Sequence, residues 1–295
     1  MMSIEAKTKT VAFVGTGVMG SSMAGHLLRV GFEVVVYTRS KEKAEGLLAL
    51  GARWANSAGE AARQADFILT MVGYPKDVEE VYFREDGILA QAQEGTYVID
   101  MTTSTPTLAK QIYQEAKARN IHSLDAPVSG GDIGAREARL TIMVGGAKED
   151  YEACLPIFQA LGANIIHQGD AGAGQHTKMC NQIAIATNMI GVCEALAYAE
   201  AAGLNPEDVL KSISSGAAGS WSLSNLAPRI IADNFEPGFF VKHFIKDMEI
   251  ALDEAERMSL NVPGLALAKD MYVKLSENGE ENSGTQALYK LWKKQ

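Results

Sequence analysis

Apolar positions follow two rhythms along this chain. In the first half, short near-continuous runs at residues 10–15 (TVAFVG), 34–38 (VVVYT), 67–72 (FILTMV) and 97–101 (YVIDM) alternate with amphipathic stretches at 19–30, 41–50 and 107–118. Such runs predict strands covered on both faces, and their alternation with helices predicts a doubly wound parallel sheet. Later runs at 140–144 and 164–167 extend that sheet. After Gly169 the pattern changes. Residues 170–174 (DAGAG) read as a flexible hinge of small residues. The stretch 175–202 is rich in apolar residues, holds no proline and has only Gly191 as a weak helix former. It predicts one long helix, ended by Gly203 and the turn Asn205-Pro206. Beyond it, helical patterns break at Pro228, Pro237 and Pro263, with no convincing strand. The expected architecture is α/β: a Rossmann-type doubly wound N-terminal domain (residues 1–168), then an all-α C-terminal domain (169–295) for substrate binding and dimerisation, joined by the long interdomain helix.

Composition narrows the function. The 295 residues carry a net charge of −9, which argues against a nucleic-acid partner, since phosphate binding wants a clustered basic face. An anionic ligand then needs local positive charge, so a Lys or Arg beside a candidate pocket gains weight. Cys154, Cys180 and Cys193 are too scattered for a disulfide framework or a CxxC metal site, and the histidines show no ligand spacing, so no metal is expected. Residues 1–9 are polar and lack the apolar core of a signal peptide. No stretch approaches eighteen apolar residues without polar interruption, so no membrane partner is expected and a cytoplasmic location follows.

The first chemical motif is Gly15-Thr16-Gly17-Val18-Met19-Gly20, directly after a predicted strand and opening a helical segment. A lone GxGxxG is weak; this context makes it a dinucleotide-binding turn. Gly15 serves the tight turn, Gly17 the approach of a pyrophosphate, and Gly20 close helix–strand packing, with free N–H groups at the helix start meeting the anion. Where an NAD-binding unit carries an acid on the ribose, the second strand here ends Tyr37-Thr38-Arg39-Ser40. A carboxylate repels a 2′-phosphate and Arg offers it a fork, with hydroxyls from Thr38 and Ser40 beside it. NADP is therefore favoured, with NAD open. Met71 and Val72, ending the third strand, and Thr103, after the fourth, should face the nicotinamide half; plain turn or helix-cap roles for Thr102 and Thr103 are equally open.

Two further motifs make the reading specific. Asp125-Ala126-Pro127-Val128-Ser129-Gly130-Gly131 ends in Ser-Gly-Gly, where backbone N–H groups and a hydroxyl can converge on a carboxylate. Gly172-x-Gly174-x-x-x-Lys178-x-x-Asn181-Gln182 opens the long helix and sets two amides close to the face of Lys178. Trp221 is a candidate pocket wall, with simple core packing as its other reading.

Together these segments closely resemble the β-hydroxyacid dehydrogenases, the family of 3-hydroxyisobutyrate dehydrogenase, tartronate semialdehyde reductase and the glyoxylate/succinic semialdehyde reductases. The resemblance spans nearly the whole chain: VAFVGTGVMG, DMTTSTP, DAPVSGG, GAGQHTKMCNQ and the late FFVKHFIKDMEIA. It implies that Lys178 is the catalytic lysine, helped by Asn181 and Gln182. It implies that Ser129, Gly130 and Gly131 hold the substrate carboxylate and that Thr103 contacts cofactor. It further implies that Lys246 reaches the active site from the C-terminal domain and that Phe239 packs near the nicotinamide. It agrees with a homodimer or homotetramer. Three positions depart from the family: Gln182 where members often carry Asn, Ala138-Arg139-Leu140 where Gly-Thr-Leu is common, and the non-acidic end of the second strand, which agrees with NADP-using relatives.

The expected reaction interconverts a small β-hydroxyacid and its aldehyde-acid. Lys178 moves the hydroxyl proton, its affinity for that proton lowered by burial and by a second cation, Lys246. Three other readings compete. Tyr113 and Lys117 have the Tyr-x-x-x-Lys spacing of short-chain dehydrogenases, but lie on a predicted sheet-covering helix well before the usual place. Imine reductases share the architecture but usually lack the lysine. A non-catalytic NADP-binding scaffold or sensor does not need Ser129, Lys178 and Lys246.

Overall fold

The computed structural model describes residues 9–293; the start of the chain, read above as lacking a signal peptide, lies outside them except for Lys9. In chain order the first part runs β1 (Thr10–Val14), α1 (Val18–Val30), β2 (Glu33–Tyr37), α2 (Glu45–Ala49), β3 (Arg53–Trp54), α3 (Ala58–Ala62), β4 (Phe67–Thr70), α4 (Pro75–Phe83), α5 (Ile88–Gln91) and β5 (Tyr97–Asp100). It continues with α6 (Pro106–Lys117), β6 (His122–Asp125), β7 (Val128–Ser129), α7 (Gly131–Arg136), β8 (Leu140–Gly145), α8 (Lys148–Gln159) and β9 (Gly162–Gly169). These strands form one sheet in the order β3-β2-β1-β4-β5-β6-β8-β7, with β9 paired to β8. The strands from β3 to β6 are parallel, whereas β8 runs antiparallel to β6 and β7. The direction of progression reverses between β1 and β4, which makes the carboxyl ends of those two strands the place for a ligand.

Strand β1 shows why both faces are covered. Val11 and Phe13 pack on one side with Met23 and Leu27 of α1, and Ala12 and Val14 join Ile68, Tyr82 and Ile112 on the other. Alternate side chains point to opposite faces, so one apolar run feeds two cores. Helix α1 stops at Gly31, whose φ of 102° closes the helix with N–H bonds back to Leu27 and Leu28. Helix α6 starts where Thr105 caps Leu108 N–H and Pro106 fixes the first turn.

The remainder runs α9 (Ala173–Ala201), α10 (Pro206–Ile213), α11 (Trp221–Asn225), α12 (Ala227–Ile231), α13 (Val241–Arg257) and α14 (Pro263–Leu275). An isolated bridge joins Phe240 and Gly284. On α13 the buried Val241, Phe244, Met248, Ala251 and Ala255 fall at alternating steps of three and four, one stripe of a helix. The first four of these share the core of this part with Leu265, Ala268, Tyr272 and Leu275 of α14. Each large side chain so buried is worth about 1.5–3 kcal/mol. The Tyr272 ring stands edge-on to Phe244, and its hydroxyl donates to Thr285 O at 2.8 Å.

Two compact units emerge, divided within α9 between Lys178 and Met179. Helix α9 is long and apolar enough to cross a membrane by length and composition alone, although polar residues interrupt its apolar run, as the sequence reading had it. Its polar side chains Gln175, Lys178 and Gln182 are buried and bonded to protein groups, as in a core helix.

Candidate functional site

The turn from β1 to α1 assigns its glycines different jobs. Gly15 has φ +99°, and a Cβ there would overlap Met71 O at the end of β4. A Cβ on Gly20 would overlap Gly15 O, so the start of the helix approaches the end of the strand only because Gly20 is bare. Gly17 differs: its φ of −70° suits any residue, and a Cβ there would meet nothing within 4 Å. The fold therefore has no need of glycine at position 17, and the space above it opens onto the start of α1, where no side chain caps the helix. An anion at that helix start fits the observation. Beside it, Thr16 Oγ1 is buried without a hydrogen-bond partner.

At the tip of β2, Thr38 is half-buried, and Arg39 and Ser40 are exposed. Arg39 Nη1 donates to Asp77 Oδ1 at 3.1 Å. The sequence reading had no acid at this strand end, and Asp77 lies 38 residues away in sequence, outside any local pattern.

A buried polar chain ties the ends of β4 and β5 to the start of α9. The Tyr82 hydroxyl lies 3.4 Å from Thr70 Oγ1, which donates to Asp100 Oδ1 at 2.7 Å. Burial first, then the Asp100 carboxylate, hold the Tyr82 phenol well above its ordinary pKa, so it stays protonated. Thr102 N–H also reaches Asp100 Oδ1, and Thr102 Oγ1 accepts from Val72 N–H at 3.0 Å. Gln175, fully buried, donates to Thr102 O at 2.8 Å and accepts from Ser104 N–H at 2.9 Å. Thr102 thus braces the turn after β4, the half-buried Thr103 stands beside it, and the cap of α6 is Thr105.

Residues 170–174 are not the flexible hinge expected from their composition. Asp125, ending β6, accepts Gly172 N–H on Oδ1 at 2.7 Å and Gln175 N–H on Oδ2 at 2.8 Å. A Cβ on Gly145 would come within 2.5 Å of Asp125 Oδ1, and one on Gly174 within 2.5 Å of Asp125 O. The small residues serve close packing around a carboxylate that caps α9. Burial pushes the Asp125 pKa up to about 6, against the lowering effect of its backbone hydrogen bonds.

From that anchor the chain runs three residues to Val128, whose carbonyl accepts a hydrogen bond from Lys178 Nζ at 2.9 Å. Lys178 is 7% exposed. The ammonium is therefore held one residue from Ser129, which pairs with Thr141 of β8 and has a half-buried side chain. Gly130 (φ +126°) and Gly131 (φ +63°) turn the backbone into α7, a short helix that the sequence reading did not assign. Further on, Ala138, at the position where the resembled family commonly has Gly, keeps φ +52°. The turn survives with a side chain in a conformation that suits glycine.

In the second unit Asn181 Nδ2 donates to Gln182 Oε1 at 2.7 Å, and Gln182 Nε2 donates to Asp247 Oδ2 at 2.6 Å. Lys246 Nζ lies 3.0 Å from Asp247 Oδ1, an ion pair without hydrogen-bond alignment at that oxygen. Each end of the Gln182 amide thus has a protein partner. Asp247 was missed as a partner because 65 residues separate it from Gln182. Phe239 packs on Phe244 with ring centroids 5.7 Å apart. Trp221 opens α11 at 65% exposure, so the core-packing reading is wrong for it. Tyr113 and Lys117 sit on α6, the lysine exposed and over the tyrosine ring.

Comparison with known proteins agrees with this architecture. Residues 10–169 match the family described as the NAD binding domain of 6-phosphogluconate dehydrogenase. Residues 172–292 match the one described as NAD-binding of NADP-dependent 3-hydroxyisobutyrate dehydrogenase. An uncharacterized oxidoreductase of Bacillus subtilis, YkwC, is 64% identical over 97% of this chain and 99% of its own length. A probable mitochondrial 3-hydroxyisobutyrate dehydrogenase-like protein of Arabidopsis thaliana is 45% identical over 94% of this chain and 83% of its own. Among solved structures, the 3-hydroxyisobutyrate dehydrogenase of Mycobacterium tuberculosis with L-serine superposes with a TM-score of 0.90 at 31% identity, covering 97% of this chain and 99% of that one.

Proposed function

Because this chain belongs to the β-hydroxyacid dehydrogenase family and is thus an NAD(P)-dependent oxidoreductase acting on CH–OH groups, we propose that it reduces a small aldehyde-acid to the β-hydroxyacid with NADPH, with Lys178 as proton donor. The observation that carries this reading is the placement of Lys178: a buried ammonium on Val128 O, next to Ser129 and the Gly130-Gly131 turn. The solved relative with L-serine, itself a β-hydroxyacid, supports the substrate class.

The cofactor supplies the hydride. This chain's own groups do the rest. The N–H groups at the start of α1, over the open space at Gly17, hold the pyrophosphate, while Arg39, Thr38 and Ser40 hold the 2′-phosphate. Met71, Val72 and Thr103, at the ends of β4 and β5, line the nicotinamide half. Ser129 with the backbone of Gly130 and Gly131 binds the substrate carboxylate, which places the carbonyl oxygen toward Lys178. The ammonium gives that oxygen a proton as the carbon receives the hydride, and in the oxidation direction the amine takes it back. A cytoplasmic location and a homodimer or homotetramer go with this reading. The exposed Tyr198, Leu204 and Leu267 of the second unit are apolar surface that association would cover.

The test follows absorbance at the nicotinamide band with glyoxylate, succinic, methylmalonate and tartronate semialdehydes, each with NADPH and NADH. Turnover faster with NADPH on at least one aldehyde-acid is the expected result. Tight NADPH binding with no turnover on any of them would reject the reaction, and faster turnover with NADH would reject the cofactor preference.

A further inference from the structure

We propose that Asp77 is a specificity-determining residue: it weakens the grip of the site on a 2′-phosphate by competing for Arg39 and by opposing the phosphate charge. The inference rests on the assignment of Arg39 to the 2′-phosphate and adds a second, opposing group to it. Of the cations that follow β2, Lys41 is turned over the Trp54 ring, 5.4 Å from its centroid, whereas Arg39 reaches toward Asp77. The Arg39 side chain is 77% exposed and reaches Asp77 through one nitrogen, Nη1. Asp77 is the less mobile partner. Its side chain is only 17% exposed, and its other oxygen accepts Tyr74 N–H at 3.1 Å at the start of α4. A carboxylate fixed at a helix N-terminus stays where the helix puts it. The flexible guanidinium can turn toward a ligand; the Asp77 carboxylate keeps its place in the cap.

Two consequences follow for a dinucleotide. Without a 2′-phosphate, the ligand leaves the Arg39–Asp77 pair intact. With one, the guanidinium must share itself between two anions, and the dianionic phosphate sits close to a carboxylate that cannot retreat. The repulsion acts near the surface, where charges a few ångströms apart interact weakly and salt screens them. The expected size is therefore modest, about threefold to tenfold in affinity at low salt, and smaller at high salt.

Isothermal titration with 2′,5′-ADP and 5′-AMP isolates the phosphate, because the two fragments differ in that group alone. The readout is the ratio of their dissociation constants in the wild type, Asp77→Asn, Asp77→Ser and Arg39→Ala, at about 20 mM and about 500 mM salt, which straddle the range where screening sets in. Both replacements at position 77 retain an oxygen that can accept the Tyr74 N–H, so the helix cap survives the loss of charge. The expected result is a shift of the ratio toward 2′,5′-ADP by about threefold to tenfold in both variants, most of it lost at high salt. A ratio that stays put, or moves toward 5′-AMP, overturns the proposal; the second outcome would make Asp77 an aid to Arg39. Arg39→Ala separates the two levels. If it leaves the ratio unchanged, the 2′-phosphate assignment itself fails and takes this inference with it.

Discussion

Lys178 keeps its ammonium in a nearly closed environment, bonded to a main-chain carbonyl one residue from Ser129. At this scale the motif residues could be singled out, because the glycine, serine and lysine positions sit in short, ordered stretches of sequence. Their partners were not. Asp77, Asp125 and Asp247 act across 38, 47 and 65 residues, and no periodicity carries such contacts. Two substitutions test single residues. Gly17→Ala should leave thermal stability within about 0.5 kcal/mol, the range of changes that disturb no contact, because its backbone and surroundings accept a methyl group. The same change should weaken NADPH binding markedly, and a melting curve paired with a binding titration checks both. Ala138→Gly should raise stability by up to about 1 kcal/mol, since φ +52° strains a residue with a Cβ. A lower urea midpoint for that variant would contradict the account of the turn.

Among the elements, the strands with continuous apolar runs and the long helix were readable, and the boundaries moved by only a few residues. Strand β3 escaped notice because a two-residue strand has no period. Helix α7 begins at a glycine inside a Ser-Gly-Gly turn, where composition says loop. Residues 170–174 misled for a related reason: small residues signal freedom in a sequence, whereas here they let Gly145, Gly174 and Asp125 approach. The Asp125 cap makes a prediction about pH. Its pKa of about 6 in the folded protein stands above the 3.8 of an ordinary carboxyl. The folded chain then binds more protons than the unfolded chain between those values. The stabilisation linked to that proton is complete below about pH 4 and is lost as pH rises through about 6. Urea unfolding of wild type and Asp125→Asn from pH 4 to 7 should show the wild type losing stability relative to the variant over that window. A difference flat with pH would remove the buried carboxylate from the explanation. Asp125→Ala, which leaves Gly172 and Gln175 N–H groups unpaired, should cost about 2–4 kcal/mol at pH 7.

At the scale of the whole molecule, the sequence and the family comparisons agree on a Rossmann-type unit followed by helices. What the sequence could not convey was how the first unit builds its chemistry. Asp125 and Val128 O, on one strand-and-turn segment, hold the start of α9 and its lysine at two points. A ligand that binds only the folded state raises stability by about 2.7 kcal/mol at a hundredfold excess over its dissociation constant. At equal concentration, NADPH should therefore raise the melting temperature more than NADH does. The most direct test of the central claim is single-turnover reduction of the best aldehyde-acid by NADPH, with wild type and Lys178→Ala side by side and NADPH affinity measured for both. Loss of proton transfer should slow the chemical step by about 10²–10⁴, with the NADPH dissociation constant changed by less than about threefold, a shift of under 1 kcal/mol. A variant that reduces the substrate within about fivefold of the wild-type rate, a barrier difference near 1 kcal/mol, would show that Lys178 does not move the proton.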